Sequence, residues 1–270
     1  MAGRPPQTYV FDLDGVIYRG NEPQPHASEV VRELRSRGRS VYFVTNNSTQ
    51  PREDYQLKLG RMNIAVQPDE VTTSAYATVL YLQEHGAIGR RVYVVGEAGL
   101  VRELEAGGME VVRDSSAGKA DCVVVGLDRQ FSYRKLEEAQ QAILAGAQFL
   151  ATNRDATYPV EDGHVIPGGG AIVSAIETAS GTKPLVIGKP ETYAIEKVLT
   201  SARSKPEESV MVGDRLETDI LLGNRLGMHT ALVLTGVCDE EAAAAAPPEM
   251  KPERMVTDLA ELLDESWASR

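Results

Sequence analysis

Asp12 and Asp14 close the apolar run VFDLD and are followed by Gly15. Two carboxylates in that arrangement suit chemistry at phosphorus. A carboxylate attacks phosphorus to give an acyl phosphate, which makes Asp12 the candidate nucleophile. On an extended chain Asp14 projects to the same side as Asp12. There it would protonate the leaving group and then take a proton from water. Adjacent carboxylates repel, and a Mg²⁺ ion would keep Asp12 ionised while Asp14 holds a proton. Mg²⁺ prefers oxygen ligands and keeps several waters. Asp12 and Asp214 would supply side-chain oxygens to it, and Asp14 its backbone carbonyl. Thr45 and the amides beside it would cradle the phosphoryl oxygens. Lys189 would neutralise them and hold the nucleophile in place.

These residues need a scaffold that gathers distant positions at one edge. Short apolar runs alternate along the chain with amphipathic segments. YVFDLD (9–14), SVYFVT (40–45), RVYVVG (91–96), DCVVVG (121–126), FLAT (149–152), PLVIG (184–188), SVMVGD (209–214) and TALVLTG (230–236) read as strands. Residues 26–38 carry Ala27, Val30, Val31 and Leu34 at helical spacing and close on Gly38. Residues 51–62 open on Pro51, a favoured first helical residue. The pattern predicts a parallel sheet covered by helices on both faces. Ligands of such sheets bind beyond the carboxyl ends of the strands, where Asp12, Thr45, Lys189 and Asp214 all fall. The alanine run 242–246 reads as a surface helix end and loop between the last two strands. Residues 255–267 read as a final short strand and an amphipathic helix.

Composition narrows the class. The chain has 270 residues, 42% hydrophobic and 25% charged, as in soluble globular proteins. No run reaches the roughly 18 apolar residues of a membrane span, and the N-terminus lacks the apolar region of a secretory signal. The net charge of −11 argues against nucleic acid or an anionic membrane as a partner. A small anionic substrate remains compatible, because a local metal or lysine outweighs the global field. Two cysteines, Cys122 and Cys238, fit no metal spacing and suit a reducing, cytoplasmic compartment. The histidines His26, His85, His164 and His229 are scattered, so no zinc site is expected.

The blocks FDLDGVIY (11–18), FVTNNS (43–48), VIGKP (186–190) and VMVGDRLETDI (210–220) together resemble the haloacid dehalogenase-like hydrolase superfamily. The second aspartate of DLDGV resembles the phosphatase and phosphomutase branches. The stretch between Asp14 and Thr45 has room for a small flap and one helix, and the long stretch before Lys189 has room for a separate cap. VYVVGEAGL (92–100), VVVGLDRQFSYRKL (123–136), ATNRDATYP (151–159) and residues 167–184 resemble the α/β cap of the NagD-like, 4-nitrophenylphosphatase-like group. The resemblance implies an α/β fold: a doubly wound, mostly parallel, Rossmann-like core at 1–80 and 184–270, with a smaller α/β cap domain inserted at 81–183.

It also implies roles. Asp12 is similar to the nucleophile and a metal ligand, Asp14 to the acid/base, and Thr45, Asn46 and Asn47 to the phosphate-binding segment. Lys189 is similar to the phosphate and nucleophile clamp, and Asp214 to the remaining Mg²⁺ ligand. Asp219 is expected behind the metal, orienting its waters. Tyr158 falls in a cap loop that approaches substrate in this group, and relatives often dimerise through the cap. The expected function is Mg²⁺-dependent hydrolysis of a small phosphorylated metabolite, such as phosphoglycolate, glycerol phosphate, pyridoxal phosphate, a nucleotide or a sugar phosphate. A phosphotransferase or mutase using the same aspartyl phosphate, or a non-catalytic binding relative, are the competing readings. Arg154 and Asp155 are either readers of the leaving group or turn residues. His164 reads as exposed in a hairpin turn. Gly168, Gly169 and Gly170 read as a close-approach loop between cap and core.

Overall fold

Along strand Thr8–Asp12, Tyr9 and Phe11 pack into one apolar cluster and Val10 into another. Side chains alternate across a sheet, so this strand is buried on both faces. Strands Ser40–Thr45 and Ser209–Gly213 divide their side chains in the same way. The Tyr9 face is covered by Ala27, Val30, Val31 and Leu34 of helix Ala27–Ser36, and by Tyr55 and Leu59 of helix Arg52–Arg61. The Val10 face is covered by Ile195, Val198 and Leu199 of helix Tyr193–Ala202. This is the doubly wound arrangement that continuously apolar strands require.

The computed structural model describes residues 5–113, 119–159, 164–264 and 267. The tip of the expected hairpin turn, 160–163, lies outside the described residues. The chain divides into two compact units: Met1–Thr45 with Tyr55–Thr72 and Lys189–Arg270, and Asn46–Asp54 with Thr73–Gly188. The sequence predicts the divisions at 80/81 and 183/184, inside the bounds of the second unit.

The first unit is built on a six-stranded sheet in the order Arg254–Val256, His229–Val233, Ser209–Gly213, Thr8–Asp12, Ser40–Thr45, Val71–Thr73. The first five of these run parallel to their neighbours. Asp12 pairs with Val44 and Phe11 with Val212, so Asp12, Thr45 and Asp214 end together at one edge. The second unit has its own five-stranded parallel sheet: Leu185–Val186, Gln148–Ala151, Cys122–Val125, Arg91–Val95, Glu110–Val112. Helices Tyr133–Leu144 and Gly169–Ser180 place Ala139, Ala142, Ile143, Ile172, Val173 and Ile176 against it.

Four local expectations change. The first strand stops at Asp12, because the Leu13 carbonyl accepts from the amides of Val16, Ile17 and Tyr18 and closes a turn. Gly15 sits in that turn at φ +88°, a conformation open to glycine. The strand at 185–186 joins the second sheet, so Lys189 follows a strand of that sheet and not of the six-stranded one. The tail after strand Arg254–Val256 is a 3₁₀ turn, Leu259–Leu263, and not an α-helix. Its Leu259 and Leu262 still reach the core. The glycine run closes on its own unit: the amides of Gly168 and Gly170 donate to the carbonyls of Ala156 and Asp155. The alanine run ends a helix, Glu240–Ala245, between the last two strands. Among the described residues no helix is long and apolar enough to cross a membrane.

Candidate active site

At the carboxyl edge of the six-stranded sheet, Lys189 Nζ donates to Asp12 Oδ1 at 2.5 Å and to Asp219 Oδ1 at 2.6 Å. The three side chains are nearly inaccessible: Lys189 3%, Asp12 7% and Asp219 1% exposed. Asp214, at 2%, follows strand Ser209–Gly213 and accepts from the Val237 amide at 3.0 Å. Carboxylate oxygens of Asp12, Asp214 and Asp219 come within 4.8 Å of one another. Among the described residues this is where metal-ligating side chains converge, and neither histidine nor cysteine joins it.

Local backbone explains how the carboxylates get so close. The segment Leu216–Ile220 forms a π-turn, with the Ile220 amide reaching back to the Arg215 carbonyl. Such wide turns are frequent at functional sites. Here the turn aims Asp219 back at the strand it follows, and Asp219 Oδ2 accepts from the Arg215 amide. Gly213 makes room, since a Cβ there would overlap the Asp219 side chain. A Cβ at Gly15 or Gly236 would likewise overlap the Asp214 carboxylate. The two glycine loops are tied together: Thr235 Oγ1 donates to the Gly15 carbonyl, and Arg19 donates to the Thr235 carbonyl.

The electrostatics favour added positive charge. Burial pushes the Asp12 carboxyl well above its ordinary value; Lys189 pulls it down, and Asp219 and Asp214 push it up again. Burial, then repulsion from Asp219, brings Asp214 up to about 7. Burial alone would depress Lys189, but Asp12 and Asp219 together hold it above its ordinary value. One buried ammonium does not balance three buried carboxylates. The donor set is all oxygen and anionic, which fits a hard cation such as Mg²⁺ and not zinc.

Asp14 is partly buried. Burial raises its carboxyl, opposed by Lys58, Lys189, Arg215 and a hydrogen bond with Tyr18. Lys58 Nζ lies 3.5 Å from the centre of the Tyr18 ring. Lys58 and Tyr18 were not singled out from sequence; the one signal was the position of Tyr18 within the FDLDGVIY block. Thr45 is buried at the end of strand Ser40–Thr45, beside Asp12.

The remaining expected residues form a second group, in the other unit. Asn46 Nδ2 donates to both carboxylate oxygens of Asp155, at 3.0 and 3.2 Å. Asn47 Nδ2 donates to Tyr158 Oη at 3.0 Å. Asn47 Oδ1 accepts from the amide and hydroxyl of Thr49, both at 2.8 Å. Arg154 pairs with Glu177 at 2.7 Å. His164 is exposed, as read from sequence.

Residues 9–110 match a family model described as haloacid dehalogenase-like hydrolase, and residues 186–262 a second, HAD-hydrolase-like model. The chain is 37% identical to human chronophin, over 96% of this chain and 92% of that protein. A p-nitrophenyl phosphatase from Archaeoglobus fulgidus has the same fold, with a TM-score of 0.88 and 32% identity, over 96% of this chain and 99% of that one. A glycerol phosphate phosphatase from Mycobacterium tuberculosis, solved in complex with magnesium, aligns at a TM-score of 0.86 with 34% identity, over 96% of this chain and 77% of that one.

Proposed function

The chain belongs to the haloacid dehalogenase-like hydrolases and is a phosphoric monoester hydrolase, and from that premise we propose that it works on small phosphorylated metabolites through a phosphoryl group carried on Asp12. The observation that carries this reading is the Asp12–Lys189–Asp219 chain of buried charges beside Asp214.

Asp12 and Asp214, with the Asp14 carbonyl, would hold Mg²⁺, and Asp219 would stand behind them. Bound Mg²⁺ supplies positive charge that keeps Asp12 ionised and offsets the phosphoryl oxygens. Lys189 fixes Asp12 Oδ1, which leaves Asp12 Oδ2 to attack phosphorus as the bond to the leaving oxygen breaks. Asp14 gives that oxygen its proton. Asp14 then takes a proton from the water that attacks the phosphoryl group; the bond to Asp12 breaks and inorganic phosphate leaves. Thr45 and the main-chain amides of Asn46 and Asn47 bind the phosphoryl oxygens, as Lys189 does from its side. The inserted α/β unit acts as the cap, with Tyr158 selecting among leaving groups. Glycerol phosphate, named for the Mycobacterium relative, belongs to the substrate class meant. The free thiols of Cys122 and Cys238 support a cytoplasmic setting. Pairing of two copies through the inserted unit, as in the group that the chain resembles, is part of this reading.

The test is phosphate release from a panel of phosphorylated metabolites with Mg²⁺. Release is expected from several small phosphomonoesters, and Asp12→Asn should abolish it, because an amide forms no acyl phosphate. Transfer to an added acceptor in place of release would favour a phosphotransferase. Substantial turnover by clean Asp12→Asn protein would sink the covalent route.

A further inference from the structure

Asn46 and Asn47 follow Thr45 in the segment expected to bind phosphate, yet the hydrogen bonds described above take both side chains elsewhere. Their amide N–H groups go to Asp155 and Tyr158, more than a hundred residues along the chain in the same compact unit. We infer that the Asn47 side chain is a positioning residue for substrate selection, fixing the Tyr158 hydroxyl, with Asn46 fixing the same loop through Asp155. The inference rests on the reading of Tyr158 as the residue that selects among leaving groups.

Three features support it. First, the orientation of Asn47 is set independently of Tyr158. Thr49 donates twice to Asn47 Oδ1, an Asx-turn that turns Nδ2 toward the tyrosine. Second, Asn46 is anchored through its own carbonyl, which accepts from Ser74 Oγ at 2.6 Å and from Asn153 Nδ2 at 2.7 Å. Asn153 Oδ1 in turn accepts from the Asp155 amide at 3.0 Å. The segment after Thr45 and the loop 153–158 are thus laced by both main chain and side chain. Third, the far side of the loop is closed as well. The amides of Gly168 and Gly170 hold the carbonyls of Ala156 and Asp155, and a Cβ at either glycine would overlap that loop's backbone. Tyr158 itself pairs with Ile166 in the strand preceding those glycines. A tyrosine on a hairpin has rotameric freedom at its tip. The Asn47 bond removes it and fixes where the hydroxyl stands. Pre-organisation of this kind is how a single pocket contact becomes a selective one.

The test is the ratio of kcat/KM for glycerol phosphate to that for 4-nitrophenyl phosphate. Both substrates share the phosphoryl group, so damage to phosphate binding cancels in the ratio. Asn47→Ala would also break the turn with Thr49. Asn47→Ser keeps an acceptor for the Thr49 amide but is too short to reach Tyr158. Asn47→Ser and Tyr158→Phe should each shift the ratio by roughly three- to tenfold, the scale of one hydrogen bond. The double variant should shift it no further than the larger single. Asn47→Asp keeps the turn and lets the tyrosine hydroxyl donate instead, so it should restore the ratio. Equal loss on both substrates in Asn47→Ser would make Asn47 a phosphate binder and overturn the inference. So would multiplicative effects in the double variant, or failure of Asn47→Asp to rescue. A shift in Tyr158→Phe without one in Asn47→Ser would overturn the coupling and leave the reading of Tyr158 standing. No shift in Tyr158→Phe or in Tyr158→Ala would overturn that reading itself.

Discussion

Lys189 Nζ lies 2.6 Å from Asp219 Oδ1, so the carboxylate expected behind the metal also anchors the lysine expected to clamp the phosphoryl group. Asp219 therefore links the two proposed roles through one ion pair. It is buried, aimed by the π-turn, and held on its other oxygen by the Arg215 amide.

Removing the lysine should show this. Lys189→Ala leaves Asp12 and Asp219 buried without their shared counter-charge, and breaking a buried pair from one side costs about 3–5 kcal/mol. Urea unfolding in chelator should show a loss of that order. Activity should fall by a similar large factor on every substrate, since all carry the same phosphoryl group. A substrate-dependent loss would mean that Lys189 reads the leaving group.

Metal removal should abolish activity, and Mg²⁺ should restore it. Binding to the folded state alone also stabilises, by about 2.7 kcal/mol at a hundredfold excess over Kd. A rise in Tm with Mg²⁺ but not with added Na⁺ is therefore expected. Ca²⁺ should bind and inhibit, because its larger coordination number can engage both Asp12 oxygens and leave none to attack. Full activity in Ca²⁺ would contradict that assignment of Asp12.

The metal-free protein should depend on pH in an unusual direction. Asp214 is raised from 3.8 to about 7, chiefly by burial and then by Asp219. Between those values the folded state holds a proton that the unfolded state has lost, so this contribution to stability falls as pH rises. Unfolding in chelator from pH 4 to 7 should show the decline, and saturating Mg²⁺ should remove it. An Asp214→Asn variant should show a shallower decline, the remainder coming from Asp12 and Asp14, whose carboxyls burial also raises.

Gly236→Ala tests the fit around Asp214 without touching a charge. The added methyl would overlap the carboxylate and displace it. Outer changes of this kind weaken metal affinity by about 10–100-fold. The concentration of Mg²⁺ giving half-maximal activity should rise by that factor, and urea unfolding in chelator should show a loss as well, since the methyl also meets Asp214 Cβ. An unchanged Mg²⁺ requirement would show that Asp214 is not held by this contact.

Much of this molecule was legible in its residues, because the signals are local. Strand Thr8–Asp12 is apolar from Tyr9 to Phe11, just before its acid, and a strand buried on both faces announces itself as a continuous run. Helix Ala27–Ser36 buries the four residues that its spacing picked out. Asp12, Thr45 and Asp214 follow runs of that kind, and parallel pairing in register delivers them to one edge. The order of the chemistry, two aspartates, a threonine, a lysine and an aspartate, was likewise set by the chain alone.

What the residues in order did not decide are the contacts that packing makes across distance. Nothing near Asn47 marks Tyr158 as its partner, and nothing near Lys189 marks Asp219 as its anchor. The sheet to which Leu185–Val186 belongs, and the clearance that Gly213 and Gly236 give to Asp219 and Asp214, follow only from where other segments come to rest. Periodicity reports which face of an element is buried, a property of a few neighbouring residues. Which side chain meets which depends on the register and approach of whole elements, and that is settled when each sheet packs with its own helices and loops.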